Sequence, residues 1–550
     1  MQVKRNKIQP YYFIEQLTVV SWLFCIFPFI VKIALKQERV GARVYFFDTA
    51  RSARIIAKVM LKLLKSSLEK LEFRLVDIKD ENRLLLRLRI AYFDFSDIQN
   101  EIISKASFRS LCDKGTLEKG LGTFLAKRVT HVDLWSNDTL WRAQLITQIA
   151  VWKLKKEKTG ETKRGTLFLN KRLWMEEIKN YGLKYGIKIV PAIAGQIKIK
   201  PIFVSIMGSK IKVIQSMYYY IKEKGLLEFI KKIFSRRFPF SRSFEENPAS
   251  FGNLKDSSVK LAAEYLNHFN LDDQGLNSDL FFWQQSELSA KDILLIFNNS
   301  KDPLDEQKRK ALDRYGINYV ALSPGASIVK GTDIFYHWLA HPQKKSLPLS
   351  AQSSGGSGLD KWFRKQAAYY SAQYNYWFDF FSRYNIKLYM SWFKYDSNHC
   401  IITDALRDCG GINTVYQRAF EEFPAPETIT FSDIVFGFSR KGLELEKRSN
   451  STISYYVVTG YFGDYRFFLL RTRAKEIRDK LKSRGARNII AFFDENSADD
   501  ARWHTGHEFM RDNYDFLLRK LLNEPSLGLV LKPKVPSTLR KRLGPLAELL

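Results

Sequence analysis

Four short apolar runs in the last quarter of the chain alternate with helix-length polar stretches: Ser432–Ser439, Ser454–Tyr461, Asn488–Glu495 and Leu527–Lys534. Runs of this length without inside-to-outside alternation are buried on both faces, the pattern of parallel strands covered by helices. The same alternation occurs upstream. Ala42–Asp48 reads as a strand followed by a helix over Ser52–Leu64, and Ile187–Val190 is a short run before Pro191. Asp292–Phe297 leads to a helix opening at Pro303, with Asp302 placed to cap it, and Ile317–Leu322 gives the next strand. Trp362–Arg383 is one long helix whose aromatic stripe is core. Ile386–Phe393 (strand), Cys400–Cys409 (helix), the stop Gly410-Gly411 and Asn413–Gln417 (strand) follow. The fold class is therefore α/β.

Boundaries come from composition. Ser323–Asp360 is rich in turn residues and ends in a Gly/Ser run, so it reads as a flexible connection, either a surface insertion or a lid. An acidic loop holding Pro424 and Pro426 marks the passage between two domains. The division expected is an apolar segment over 1–40, an α/β domain over 41–425 and a second, partial one over 426–550. The last region supplies about four strands where doubly wound nucleotide domains have five or six, so its sheet reads as unfinished with an apolar edge left uncovered.

The charge of +30 asks for an anionic partner, and nucleic acid, anionic lipid and phosphorylated sugar donors all qualify. Its distribution narrows the choice. Residues 210–242 hold nine basic side chains against two acidic ones, and in Ile211–Phe240 they are interleaved with aromatic and aliphatic residues. This fits an interfacial helix on an anionic leaflet or a solvated helix packed on its own domain. No zinc-finger spacing, RNA-recognition signature or helix-turn-helix is present, which argues against nucleic acid. Val19–Leu35, apolar apart from Ser21 and Lys32, can be a signal anchor, a Pro28-broken segment in the interface, or a helix packed on the first domain. Shallow membrane contact at the cytoplasmic face is the expectation adopted here. Cys25, Cys112, Cys400 and Cys409 lack CxxC spacing, and His504 and His507 lack the Glu context of a zinc protease, so no metal site is expected.

Ligands of open α/β sheets sit beyond the carboxyl ends of the strands, which directs attention to Thr459, Gly460, Asp464, Asp494, Glu495, Lys532 and Lys534. Lys532 and Lys534 would offset phosphate charge, the Gly460 turn lets backbone approach a diphosphate, and Asp494-Glu495 could take a sugar hydroxyl or merely favour a helix start. The loop Lys394–His399 also follows a strand and precedes a helix. Asp396 and His399 could serve there as a general base, or as cap and structural residue.

Gly410–Gln417, Ser432–Phe436 and the turn Thr459–Asp464, followed by Tyr514–Leu522 and Leu529–Lys534, give an order of elements that resembles the GT-B glycosyltransferases of surface and capsular polysaccharide synthesis. That loose group includes polysialyltransferase-like, Kdo-transferase-like and glycerophosphotransferase-like enzymes. The resemblance covers roughly residues 385–550, and Arg418-Ala419 stand where such enzymes often carry His-Gly after the residue matched by Gln417. It implies two Rossmann-type domains facing a cleft, a nucleotide-activated donor, a glycan or lipid-linked acceptor, and no cofactor. Donor-side residues would be those of the 459–534 strand ends, with Lys394 and Gln417 on the acceptor side. A non-catalytic scaffold of a polysaccharide assembly is the alternative within the same setting.

Overall fold

The computed structural model describes residues 10–37, 41–73, 78–82, 85–106, 108–109, 119–129, 140–157, 165–193, 259–265, 271, 280–283, 286–298, 302–329, 334–336, 358–421, 424, 428–494, 507–533 and 536–550. Its strands in chain order are β1 (Tyr11–Leu17), β2 (Arg43–Thr49), β3 (Ser67–Lys70), β4 (Gly165–Asn170), β5 (Ile187–Ala192), β6 (Leu261–Tyr265), β7 (Ile293–Phe297), β8 (Asn318–Ala321), β9 (Leu388–Ser391), β10 (Ile412–Tyr416), β11 (Phe431–Gly437), β12 (Thr452–Val458), β13 (Asn488–Asp494) and β14 (Leu527–Pro533). The helices used below are α1, a continuous helical segment made of Val19–Ser21, the π-helical turn Trp22–Ile26 and Phe27–Gln37, then α2 (Arg51–Leu63), α3 (Lys119–Val129), α4 (Leu140–Lys156), α5 (Glu306–Tyr315), α6 (Gly358–Arg383), α7 (Asn398–Asp408), α8 (Tyr465–Ser483), α9 (His507–Asn523) and α10 (Leu539–Leu543). The chain forms two compact units, one from Met1–Ala91, Leu134–Phe240 and Gly463–Leu550, the other from Tyr92–Asp133 and Ser241–Phe462.

The first unit holds a five-stranded, wholly parallel sheet in the order β3-β2-β1-β4-β5, the strand order of doubly wound sheets. Its first strand is Tyr11–Leu17, which is not among the strands expected from the apolar pattern, and every residue of it is buried. The apolar segment that follows is the crossover helix to β2. Trp22, Ile26 and Ile30 of α1 pack with Ala53, Ala57 and Leu61 of α2 on Tyr12, Ile14, Val44 and Phe46 of the sheet. Residues 10–37 are thus part of the first core, since burying a side chain the size of Trp22 or Ile26 is worth roughly 1.5–3 kcal/mol. On the other face Leu154 of α4 and Phe13 converge on Gly165, where even a Cβ would lie 2.9 Å from Leu154.

Arg142 of α4 and Arg172 clasp the buried Glu15, Arg142 Nε lying 2.8 Å from Glu15 Oε1 while its NH2 reaches Asp48 at 3.0 Å. Burial works against the Glu15 charge, but the two guanidiniums hold its carboxyl below the ordinary range. This unit also contains a two-stranded parallel sheet, β13-β14, packed by Phe492 and Leu529 on Tyr514 and Leu518 of α9 and Leu543 of α10.

The second unit is a seven-stranded sheet, order β12-β11-β10-β9-β6-β7-β8, parallel throughout. Counted from β6 this is again the doubly wound order, and the direction of winding reverses between β6 and β9. Ala263, Ile293, Leu295, Phe297 and Tyr319 form one side of the core with Leu312 of α5. Helix α5 starts later than its Pro303 signal suggested. Asp305, whose side chain accepts from Lys308 N at 2.9 Å, is the cap, which leaves Asp302 to other partners.

One expectation is corrected outright. The four apolar runs after residue 430 do not form one sheet: β11 and β12 extend the sheet of β9 and β10 across the supposed domain boundary, whereas β13 and β14 pair with each other. The basic stretch Ile211–Phe240 and most of the 323–360 connection lie outside the described residues.

Candidate functional site

All seven strands of the second unit run the same way, so the carboxyl ends of β6, β7, β9, β10 and β11 share one edge. At the reversal point β6 contributes Glu264 and Tyr265, and β9 contributes Ser391 and the loop that follows it. Ser391 Oγ donates to Glu264 Oε2 at 2.8 Å and the Tyr389 hydroxyl approaches the same oxygen at 3.4 Å. Burial raises the Glu264 carboxyl above the ordinary range, and the neighbouring Asp396 carboxylate raises it further against the hydrogen bonds of Ser391, Tyr389 and Asn298.

Glu264, like the buried Asp404, differs in its company from the inward carboxylates that hold ion pairs. Glu15 has two arginines, Asp494 has Arg542, and Asp302 and Asp305 share Lys308, at 2.9 and 2.6 Å. Glu264 has hydroxyls, an amide and a second carboxylate around it, and forms no ion pair among the described residues. A desolvated carboxyl without a counter-ion is costly to keep, and such groups concentrate where proton transfer is needed. Nothing in the apolar Leu-Ala-Ala context of β6 signalled it.

Asp396 is half-buried beside it and accepts from Asn398 N at 2.9 Å and Asn398 Nδ2 at 3.1 Å, so it also braces the start of α7. His399 is turned inward. Its Nδ1 lies 2.8 Å from Asp396 O and its Nε2 accepts from Phe431 N–H at 3.2 Å, which requires the Nδ1–H tautomer and ties α7 to β11. Burial, then the charge of Lys127, pushes the imidazole well below its ordinary 6.5. A histidine held neutral stabilises the fold above its unfolded value, and this stability is lost as pH falls below about 6.5. We expect His399→Gln to remove up to about 1.4 kcal/mol per pH unit from the acid-side slope between pH 6.5 and 5. Denaturation midpoints of both proteins across that range check this; identical slopes would contradict it.

The Lys394 ammonium is buried between Glu446 and Glu421, the latter at 3.0 Å. Its burial opposes the charge, yet the two carboxylates, Glu446 first, raise its affinity for the proton. The carbonyl of Lys394 in turn accepts from Lys127 Nζ of α3 at 2.8 Å, and Lys127 also reaches Ile429 O at 2.7 Å. Gln417 spans the ends of β10 and β11, accepting from Phe438 N at 2.8 Å and donating to Ala419 O at 3.1 Å. Both residues hold strand-end loops in place.

The remaining expected residues are divided. Thr459 and Gly460 follow β12 in the second unit, Thr459 N donating to Gly437 O at 2.9 Å and Gly460 taking a left-handed φ of 77°. Asp464 is exposed and precedes α8, Asp494 is buried against Arg542 (3.1 Å) and Tyr514 (3.2 Å), and Lys532 is exposed on β14, all three in the first unit. Glu495 and Lys534 lie outside the described residues.

Two strand-end features were not anticipated. The Arg418 guanidinium lies 4.8 Å from the centroid of Trp392, whose buried indole N–H has no hydrogen-bond partner among the described residues. Along the same edge Phe281, Tyr416, Phe462 and Phe438 form a chain of ring contacts, with Phe281 and Tyr416 centroids 5.2 Å apart. The edge therefore presents carboxyls at the reversal point and, elsewhere along it, a cation and aromatic rings. Compared with known proteins, the chain matches no family model, no curated protein and no solved structure.

Proposed function

We propose that the protein is a GT-B-like transferase of surface carbohydrate synthesis, moving a sugar or an alcohol phosphate from a nucleotide-activated donor to a hydroxyl of a glycan or lipid-linked acceptor at the cytoplasmic face of the membrane. The observation that carries the reading is Glu264, a carboxyl with raised proton affinity and no ion pair among the described residues, at the reversal point of a doubly wound sheet. In such sheets that point is where ligands bind. Two sheets of this strand order in one chain support the two-domain architecture.

In this reading Glu264, with Asp396 beside it, takes the proton of the acceptor hydroxyl as its oxygen bonds to the donor carbon or phosphorus. The bond from that centre to the nucleotide's phosphate oxygen breaks, and Arg418 offsets the charge left on the departing nucleotide. The Trp392 N–H, without a partner among the described residues, and the neighbouring rings suit a base or sugar. His399 and Lys394 keep positioning roles only. The nucleotide-activated donor is substrate, and no metal or further cofactor is assigned a step.

The test is donor turnover by the full chain over a panel of uridine, guanosine, cytidine and adenosine diphosphate sugars, cytidine monophosphate sugars and cytidine diphosphate alcohols, with membrane extract as acceptor. The reading predicts nucleotide release from at least one donor that depends on the extract. Release from none of them would overturn it.

A further inference from the structure

Helix α2 is apolar on two faces. Its inward face is Ala53, Ala57 and Leu61 with the half-buried Ile56 and Met60, whereas the aliphatics Ile55, Val59 and Leu63 are 59, 61 and 80% exposed. A helix on a sheet normally buries its greasiest stripe. Its neighbour does something similar. Helix α1 buries Trp22, Ile26 and Ile30 but leaves Phe24 and Leu35 74 and 77% exposed. The two helices lie side by side on one face of the sheet: Trp22 Nε1 donates to Met60 Sδ at 3.2 Å, and Ile33 and Ala34 of α1 line one shallow cleft with Leu64.

The charges on these two helices have one sign. Neither 19–37 nor 51–63 contains an acidic residue. Arg51, Arg54, Lys58 and Lys62 are exposed on α2, next to the aliphatic stripe, and Lys32 is exposed on α1. Large exposed apolar patches on folded proteins mark interaction surfaces. Aliphatic side chains beside cations, on two helices that carry no acidic residue, match acyl chains beneath anionic headgroups better than they match the mixed polar rim of a protein interface.

We propose that the outer face of α1 and α2 is the surface by which this protein lies on an anionic bilayer. Ile55, Val59, Leu63, Phe24 and Leu35 enter the headgroup boundary while the α2 cations meet lipid phosphates. The proposal rests on this surface alone and not on the transfer reading. It concerns shallow docking, and no helix among the described residues is long and apolar enough to cross a membrane.

The experiment is co-sedimentation of the full chain with vesicles of phosphatidylcholine alone or mixed with phosphatidylglycerol. Wild type is compared with I55S/V59S/L63S and with R54Q/K58Q/K62Q, with circular dichroism confirming the fold and sedimentation velocity giving the oligomeric state. Because the substituted side chains are exposed, both variants are expected to fold. Wild type should bind the anionic vesicles and be released by salt. The aliphatic variant should partition at least tenfold more weakly, and the basic variant should lose about fivefold for each charge removed. Wild-type binding by both variants would overturn the proposal, placing any membrane affinity elsewhere in the chain. So would a wild-type dimer that the aliphatic variant converts to monomer without change in vesicle binding, which would assign the face to a second copy.

Discussion

Glu264→Gln is expected to lower the rate of transfer by about 10²–10⁴-fold while leaving the fold intact, the range lost when a positioned acid-base group is removed. The amide is nearly isosteric and can still accept from Ser391 Oγ, which lies 2.8 Å from Oε2 in the native protein. Stability should move the other way. Glu264 carries a raised proton affinity in the folded state, so the folded protein binds more protons than the unfolded one between the two values, and stability falls as pH rises from the ordinary carboxylate range through the folded one. The glutamine variant lacks that term and should be at least as stable as wild type at neutral pH. Activity lost with stability kept or gained is the signature of a group retained for chemistry. Steady-state turnover with denaturation curves at pH 5 and 8 checks both parts. A variant that transfers at the wild-type rate, or loses activity only because it unfolds, would remove Glu264 from the mechanism.

Lys394→Met should be the most destabilising single change among the residues discussed, by about 3–5 kcal/mol, because it leaves two buried carboxylates without their cation. Glu446 is buried and Glu421 already has its proton affinity raised, first by burial. Glu421 would be pushed further toward the protonated form, so the deficit should shrink as pH falls toward 5. The double variant Lys394→Met with Glu446→Gln should recover part of the loss, since removing both partners costs less than removing one. Urea unfolding of the single and double variants at pH 5 and 7.5 measures this. A loss below 1 kcal/mol at pH 7.5 would show that the three groups are hydrated and the ion pairs incidental.

The strands were legible where they are apolar throughout. Ile293–Phe297, Phe431–Gly437 and Asn488–Asp494 match apolar runs of the sequence, but only the first is buried throughout, as a parallel strand covered on both faces should be, whereas most of Asn488–Asp494 is exposed. Strands that carry chemistry or weak formers were hidden. β1 ends in Glu15-Gln16 and stands beside the greasier 19–35 segment, and β6 is Leu-Ala-Ala-Glu-Tyr, with low strand propensity at three positions. The second of these concealed Glu264. Pairing was less accessible still, because which strand lies beside which depends on contacts distant in sequence. The Pro-containing loop before Thr428 looked like a passage between domains, yet β10 and β11 on its two sides are hydrogen-bonded neighbours with Thr414 opposite Ile434. Asp396 was legible as a strand-end carboxylate. His399 was equally visible, but a ring that bonds two backbone groups and one that faces substrate have the same sequence signature.

The most direct test of the account is hydrogen exchange of the full chain with and without uridine, guanosine, cytidine and adenosine diphosphates and cytidine monophosphate at millimolar concentration. Slowed exchange with at least one nucleotide is predicted in peptides covering the end of β6 at Glu264, the loop after β9 through Asp396, and the end of β10 at Arg418. Protection confined to the β13 and β14 ends near Asp494 and Lys532, or none with any nucleotide, would contradict the placement of the donor site on the seven-stranded sheet.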